Sequence, residues 1–371
     1  MTADKRALAA ILLVATMTNV SADNPYYDST KPHHTPEGFR NNYIDKVEKP
    51  VGHVLRWQWE AYRDGLPKPA QTPTPTVAPD LALLKGYTPH AQPTVTWIGH
   101  ATLLVQAGGL NVLTDPVFSE RASPLQIMGP KRAQPPGVAM DDLPPIDIVL
   151  ISHNHYDHLD RSSVLLLAER GGGKTLFLVP LGLKPWMEKQ GITNVVELDW
   201  WQHHTVQVEG RGVEFHLTPV QHWSARGLGD RSETLWGGWA VLSPDLHWYF
   251  GGDTAYSKDF IDTRAHFAPR QTVAMGGGFD LALLPIGSYA PRWFMREQHA
   301  NPGEAVQIHL DLGAKRSIGM HWGTFSLTDE PLDQPPMDLI EARAKQQMEE
   351  AAFSVMMIGE TRPVPVRKLT L

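Results

Sequence analysis

The stretch IDIVLISHNHYDHLD, residues 146–160, constrains this 371-residue chain more than any other. Ile148 to Ile151 form a short apolar run rich in β-branched residues, the pattern of a buried strand. Directly behind it stand His153, His155, Asp157 and His158. Histidine is uncommon, and three within six positions at the end of a rigid strand present several ligands from one pre-positioned edge, as a metal site needs. Isolated partners follow other strand-like runs: His222 in TPVQHWS, Asp253 in YFGGDTAY and His321 in IGMHWGT.

The chain holds no cysteine, which excludes thiolate ligands, a disulfide framework and a cysteine nucleophile. A metal therefore has to rest on imidazole and carboxylate. A formal net charge of −7, without any local basic groove, argues against a nucleic-acid partner. With 42% hydrophobic residues the chain can bury a large core. At the amino terminus Lys5 and Arg6 precede the apolar run ALAAILLVATM, and Val20, Ser21 and Ala22 offer the small residues of a cleavage site. Residues 1–22 thus read as a signal peptide, the apolar run being too short to cross a bilayer that needs roughly 20 apolar residues. The expected location is a bacterial periplasm, with the protein free or resting on a membrane; an amphipathic N-terminal helix is the alternative.

Residues 23–90 are polar and irregular, and LPKPAQTPTPTVAPD carries prolines that exclude a strand or helix interior. They read as an arm and linker wrapping the main domain. Its one helical patch, HVLRWQWEAYRDG, is expected to pack through Val54, Leu55, Trp57, Trp59 and Tyr62. Residues 91–371 form the main domain. TVTWIGHATLLVQAGGLNVLTDP alternates apolar and polar residues around Gly108 and Gly109, a hairpin signal. Strands (IDIVLIS, TLFLVP, NVVELD, a run over 205–252, FDLALLPIGS, RSIGMHW) alternate with helices such as RSSVLLLAER and LKPWMEKQ in both halves. That order predicts an α/β (α+β) fold of two mixed sheets packed face to face with helices outside.

The order H-x-H-x-D-H, followed by His, Asp and His at strand ends, resembles the metallo-β-lactamase superfamily, an αββα four-layer sandwich with a two-metal site at the edge between its sheets. Over roughly residues 94–330, WIGHATLLV, DPVFSERASP, MGPKR, ISHNHYDHLD, ELDWW, QHW, FGGDTAY, PIGSYAPRWFM, QHANPGEAV and HWGTF are together similar to the N-acylphosphatidylethanolamine-hydrolysing phospholipase D family. The resemblance implies one metal on His153, His155 and His222 and another on Asp157, His158 and His321, with Asp253 bridging. Five imidazoles and two carboxylates suit two zinc ions per chain, and ligand type leaves iron or manganese open. The implied reaction is phospholipase D-type hydrolysis of N-acylphosphatidylethanolamine-like lipids to N-acylethanolamine and phosphatidic acid, Asp157 and Asp253 serving the metals that share the attacking water.

Gln298 and His299 fall in a motif the family places at its active site, where they would bind the phosphate or protonate the leaving alkoxide, with packing as the alternative. Tyr156 is a candidate for lining the entrance. Trp293 and Phe294, with Leu125, Ile127, Met128, Lys131 and Arg132, are candidates for an apolar entrance with basic residues for a headgroup, or for core packing. Asp160 reads as a helix N-cap, Asn301 and Glu304 as a capping box, and His100 as a satisfied buried histidine. The expected partners are the phospholipid, a membrane surface in peripheral contact, and a second copy of the chain in a homodimer. Two rival classes share these residues: a lactonase or small phosphodiesterase on the same metal pair, and a non-enzymatic metal or lipid binder.

Overall fold

The computed structural model describes residues 24–44, 47–227 and 229–368, so the signal-peptide reading of residues 1–22 lies outside it. The alternation around Gly108 and Gly109 becomes the hairpin Thr102–Ala107 and Leu110–Thr114, with both glycines left-handed (φ 61° and 82°), as a two-residue turn that matches strand twist requires. Seven strands form the first sheet, in the order Thr361–Pro363, Thr94–Gly99, Thr102–Ala107, Leu110–Thr114, Ile148–Leu150, Leu176–Pro180, Val195–Leu198. The second has Phe353–Val355, Ser317–Met320, Leu281–Pro285, His247–Phe250, Gly238–Leu242, Arg211–Thr218 and His203–Val208. Each sheet is antiparallel on one side and parallel on the other. Parallel neighbours need long crossovers: the helices Arg161–Arg170, Lys184–Lys189, Asp259–Phe267, Pro302–Leu312 and Gln334–Lys345 supply five of the six, and a long loop with the short 3-10 turn Met140–Asp142 joins Leu110–Thr114 to Ile148–Leu150.

The central strands of both sheets are buried on two faces, while the edge strand His203–Val208 alternates exposed and half-buried residues. Leu103 and Val105 point into the layer between the sheets, with Trp97, Phe215, Trp239 and Val241, whereas Leu104 joins Ile98, Val149, Val164, Leu167 and Met187 beneath the helices. That split is the period-2 alternation of a strand, and it makes four layers, αββα. The carboxyl-terminal strand Thr361–Pro363 returns to pair antiparallel with Thr94–Gly99.

Within their own sheets, Thr94–Gly99, Leu110–Thr114 and Ile148–Leu150 run in one direction, as do Arg211–Thr218, His247–Phe250 and Ser317–Met320. The loops behind them carry the candidate ligands. Three buried indoles brace that irregular backbone: Trp97 Nε1 donates to the carbonyl of His100 (3.0 Å), Trp239 Nε1 to Ile151 (2.9 Å) and Trp236 Nε1 to Val220 (2.9 Å). The His100 carbonyl also accepts from His321 N (3.1 Å), whereas the buried Ile151 and Val220 carbonyls left bare would cost about 1–3 kcal/mol each, so these tryptophans help fix the loops.

The helix Val51–Asp64 departs from expectation, since none of its residues is fully buried. Trp57 stacks on Phe294 (4.9 Å) and donates to Asp329, but Leu55, Trp59 and Tyr62 stand exposed. The helix lies against the sandwich along one edge only, so its amphipathic pattern does not mark a buried face. Among the described residues no helix is long and apolar enough to cross a membrane.

Candidate metal centre

The structure brings His153, His155, Asp157, His158, His222, Asp253 and His321 to one edge between the sheets. His153 Nε2 lies 2.8 Å from His155 Nδ1, and His222 Nε2 lies 3.3 Å from the same atom. In a second group His158 Nε2 lies 3.1 Å from His321 Nε2, and each is 3.3 Å from Asp157 Oδ2. Asp253 stands between the groups: Oδ2 is 3.1 Å from His158, 3.8 Å from His222 and 4.0 Å from His153, while Oδ1 is 3.0 Å from His321.

These residues fit a metal better than they fit one another. Asp115 Oδ2 takes the Nδ1 proton of His158 (2.7 Å), and the Gln298 carbonyl takes that of His222 (2.9 Å). With the outer nitrogens engaged, Nε2 of each ring points to the centre, and although burial opposes it, Asp253 and Asp157 hold His158 well above its ordinary value, so the carboxylates there call for a positive charge that a cation would supply. Asp253 Oδ1, 3.0 Å from His321 Nε2, is buried and makes no hydrogen bond of ordinary geometry. Burial and the neighbouring imidazoles, His158 foremost for His153 and His222 for His155, hold His153 and His155 well below their ordinary values, which leaves them neutral and ready to ligate. Burial alone would raise the Asp157 and Asp253 carboxyls, but His158 and further imidazoles hold both well below the carboxylate range. A buried set of lone pairs and carboxylates is the chemistry of a cation site.

Asp115 and His100 were not among the expected site residues. Asp115 is fully buried and also accepts from Ser152 N and Oγ (2.7 and 2.6 Å), so it orients His158 and anchors the loop that begins at Ser152. Its position behind the strand Leu110–Thr114 is the same signal that marks His153. His100 is buried, as expected, and its Nε2 lies 3.0 Å from Asp157 Oδ2, beside the candidate ligands. His100, Asp115 and His321 have φ of 55°, 31° and 62°, a region that non-glycine residues enter at a cost and that collects at functional sites. Gly252, left-handed at φ 56°, lets Asp253 approach, since a Cβ there would meet that of Ser152 at 2.5 Å.

The other candidates separate. His299 faces the centre, its Nδ1 3.8 Å from Asp253 Oδ2, and burial pushes it down to about 3. Gln298 is buried, with Oε1 accepting from Trp223 Nε1 (2.9 Å) and Nε2 on Met295 Sδ, so its side chain holds the loop while its carbonyl orients His222. The Tyr156 hydroxyl donates to the Arg226 carbonyl (2.7 Å), and the Arg226 guanidinium covers its ring. Phe294 is buried under Trp57 and Lys49; Trp293 is 41% exposed, beneath Arg56. In the loop expected to form an entrance, Leu125, Ile127 and Met128 are exposed, but Arg132 turns inward to the carbonyls of Ser119 and Val117 and Lys131 pairs with Glu120. Asp160 caps the helix Arg161–Arg170, and Asn301 with Glu304 closes a capping box.

An αββα sandwich with a histidine–aspartate centre between its sheets defines a metal-dependent hydrolase of the metallo-β-lactamase fold. The Beta-lactamase superfamily domain matches residues 110–322. N-acyl-phosphatidylethanolamine-hydrolyzing phospholipase D 1 of Caenorhabditis elegans is 39% identical over 273 residues, covering 71% of this chain and 74% of that protein. A metal-dependent hydrolase of Methanopyrus kandleri is 29% identical over 71% of this chain and 95% of its own. Among solved structures, the isothiocyanate hydrolase from Delia radicum gut bacteria superposes with a TM-score of 0.55 at 19% identity, over 73% of this chain and 99% of that one, a likeness of fold. The chain belongs to the N-acylphosphatidylethanolamine-hydrolysing phospholipase D family of the metallo-β-lactamase superfamily.

Proposed function

We propose that this hydrolase cleaves the phosphodiester of N-acylphosphatidylethanolamine-like phospholipids, releasing N-acylethanolamine and phosphatidic acid, with two cations, zinc foremost. The observation that carries the dinuclear reading is Asp253, one carboxylate within 4.0 Å of imidazoles from both ligand groups. His153, His155 and His222 would hold one cation, Asp157, His158 and His321 the other, with Asp253 shared. Bound there, the pair supplies Lewis acidity towards the phosphoryl oxygens and an activated water. Asp115, the Gln298 carbonyl and His100 keep the ligands aimed. His299, neutral because it is buried, offers a ring N–H to the oxygen that gains charge as the alcohol leaves. A membrane contact fits the exposed Leu125, Ile127 and Met128, with Trp293 as a further exposed aromatic, and a periplasmic setting fits the amino-terminal sequence.

The test is one preparation assayed on N-acylphosphatidylethanolamine, phosphatidylcholine and a small lactone. Release of N-acylethanolamine and phosphatidic acid, abolished by chelation, is the expected result. Turnover of the lactone with both lipids left intact would replace this reading with that of a lactonase.

A further inference from the structure

His222 lies beyond the end of the strand Arg211–Thr218, where no ladder partner meets its peptide groups. A buried loop with bare N–H and C=O groups does not hold one position, because each group seeks a partner. Both are met by a single side chain 181 residues away. Asn41 Oδ1 accepts the His222 N–H at 2.9 Å, and Asn41 Nδ2 donates to the His222 carbonyl at 3.0 Å. Asn41 is 5% exposed, so water does not compete for these bonds. A carboxamide offers a donor and an acceptor side by side, as a neighbouring strand would.

The arm that carries Asn41 is fixed on either side of it. Phe39 N donates to the Ser232 carbonyl (2.8 Å), and Gly38 approaches so closely that a Cβ would lie 2.2 Å from the same oxygen. Asn42 Nδ2 donates to Asp259 Oδ1 (2.8 Å). The backbone of His222 is thus set by the arm and its ring by the Gln298 carbonyl, and together they aim Nε2 at His155 and Asp253.

We infer that Asn41 is a positioning residue of the metal centre: it sets the His222 backbone, so that the cation held by His153, His155 and His222 depends on the N-terminal arm. The inference rests on the proposed assignment of that trio to one cation. Asn41→Leu removes both hydrogen bonds at similar volume, and Asn41→Asp keeps the acceptor but turns a second oxygen towards the His222 carbonyl.

Metal-free wild type and both variants are titrated with Zn²⁺ against a chromophoric chelator, and their Co²⁺ forms are compared by visible absorption. In the variants one ion should bind as in the wild type and the other about 10–100-fold more weakly, the usual cost of removing a group that orients a ligand. The Co²⁺ bands should change while the far-ultraviolet circular dichroism stays the same. Both ions bound within twofold of wild type, with an unchanged Co²⁺ spectrum, would overturn the role; should Asn41→Leu fail to fold, Asn41→Asp decides alone. A wild-type chain that binds only one ion overturns the dinuclear reading itself, and that result is visible before any variant is compared.

Discussion

Asp115 shows how much of the centre is carried by side chains outside the proposed ligand set. It takes three hydrogen bonds, from Ser152 N, Ser152 Oγ and His158 Nδ1, in a fully buried place where burial works to raise its carboxyl. Asp115→Ala leaves those donors bare and lets the His158 ring turn, so zinc affinity should fall about 10–100-fold, read by competition with a chelator. Asp253→Asn removes the shared charge, and metal content and turnover should fall together. His299→Ala lies outside the proposed ligand set, so elemental analysis should find normal metal while kcat drops about 10²- to 10³-fold, as for a lost oxyanion donor. Equal metal loss in His299→Ala would make that histidine a ligand. The residues that the structure gathers at this edge, proposed here as ligands, were legible in the sequence, because a histidine or aspartate directly behind an apolar run announces itself. Asp115 carried the same signal and was readable by the same rule. Asn41 was not, since nothing in an irregular arm says which loop a lone asparagine will meet.

At the scale of elements, the arm is held by a buried carboxylate. Asp199 Oδ1 meets His33 Nε2 at 2.7 Å, its Oδ2 meets His34 Nε2 at 3.0 Å and Lys31 Nζ at 2.5 Å, and His33 stacks on Trp200. Burial would raise the Asp199 carboxyl, but the His33 and Lys31 hydrogen bonds hold it well below the ordinary range. A folded value below the unfolded one of about 3.9 means the latch contributes fully above roughly pH 4 and is lost as pH falls through the folded value. Amide protection of Phe39 should therefore hold constant from neutral pH down to about 5 and decay only in the acid limb, whereas Asp199→Asn should lower it already at pH 7; unchanged protection in that variant would dismiss the latch. Strand and helix order in the main domain was readable from the alternation of apolar runs. The helix Val51–Asp64 misled because amphipathic spacing reports a stripe of apolar residues, not what covers it, and here only the Trp57 edge meets the sandwich.

For the whole molecule, two sheets of matching build meet so that each supplies candidate ligands from its own strand ends, and the proposed cations would join the halves. Elemental analysis should find about two transition-metal ions per chain. Because a metal that binds only the folded state stabilises it by RT ln(1 + [L]/Kd), about 2.7 kcal/mol at 100 Kd, chelation should lower the melting temperature, and added Zn²⁺ should restore it. Water activated at this centre should attack phosphorus, and isotope position reads that step directly. Hydrolysis of N-acylphosphatidylethanolamine in water enriched in oxygen-18 should place the label in phosphatidic acid and leave the released N-acylethanolamine unlabelled; label in the N-acylethanolamine would mean cleavage at carbon and would contradict the account.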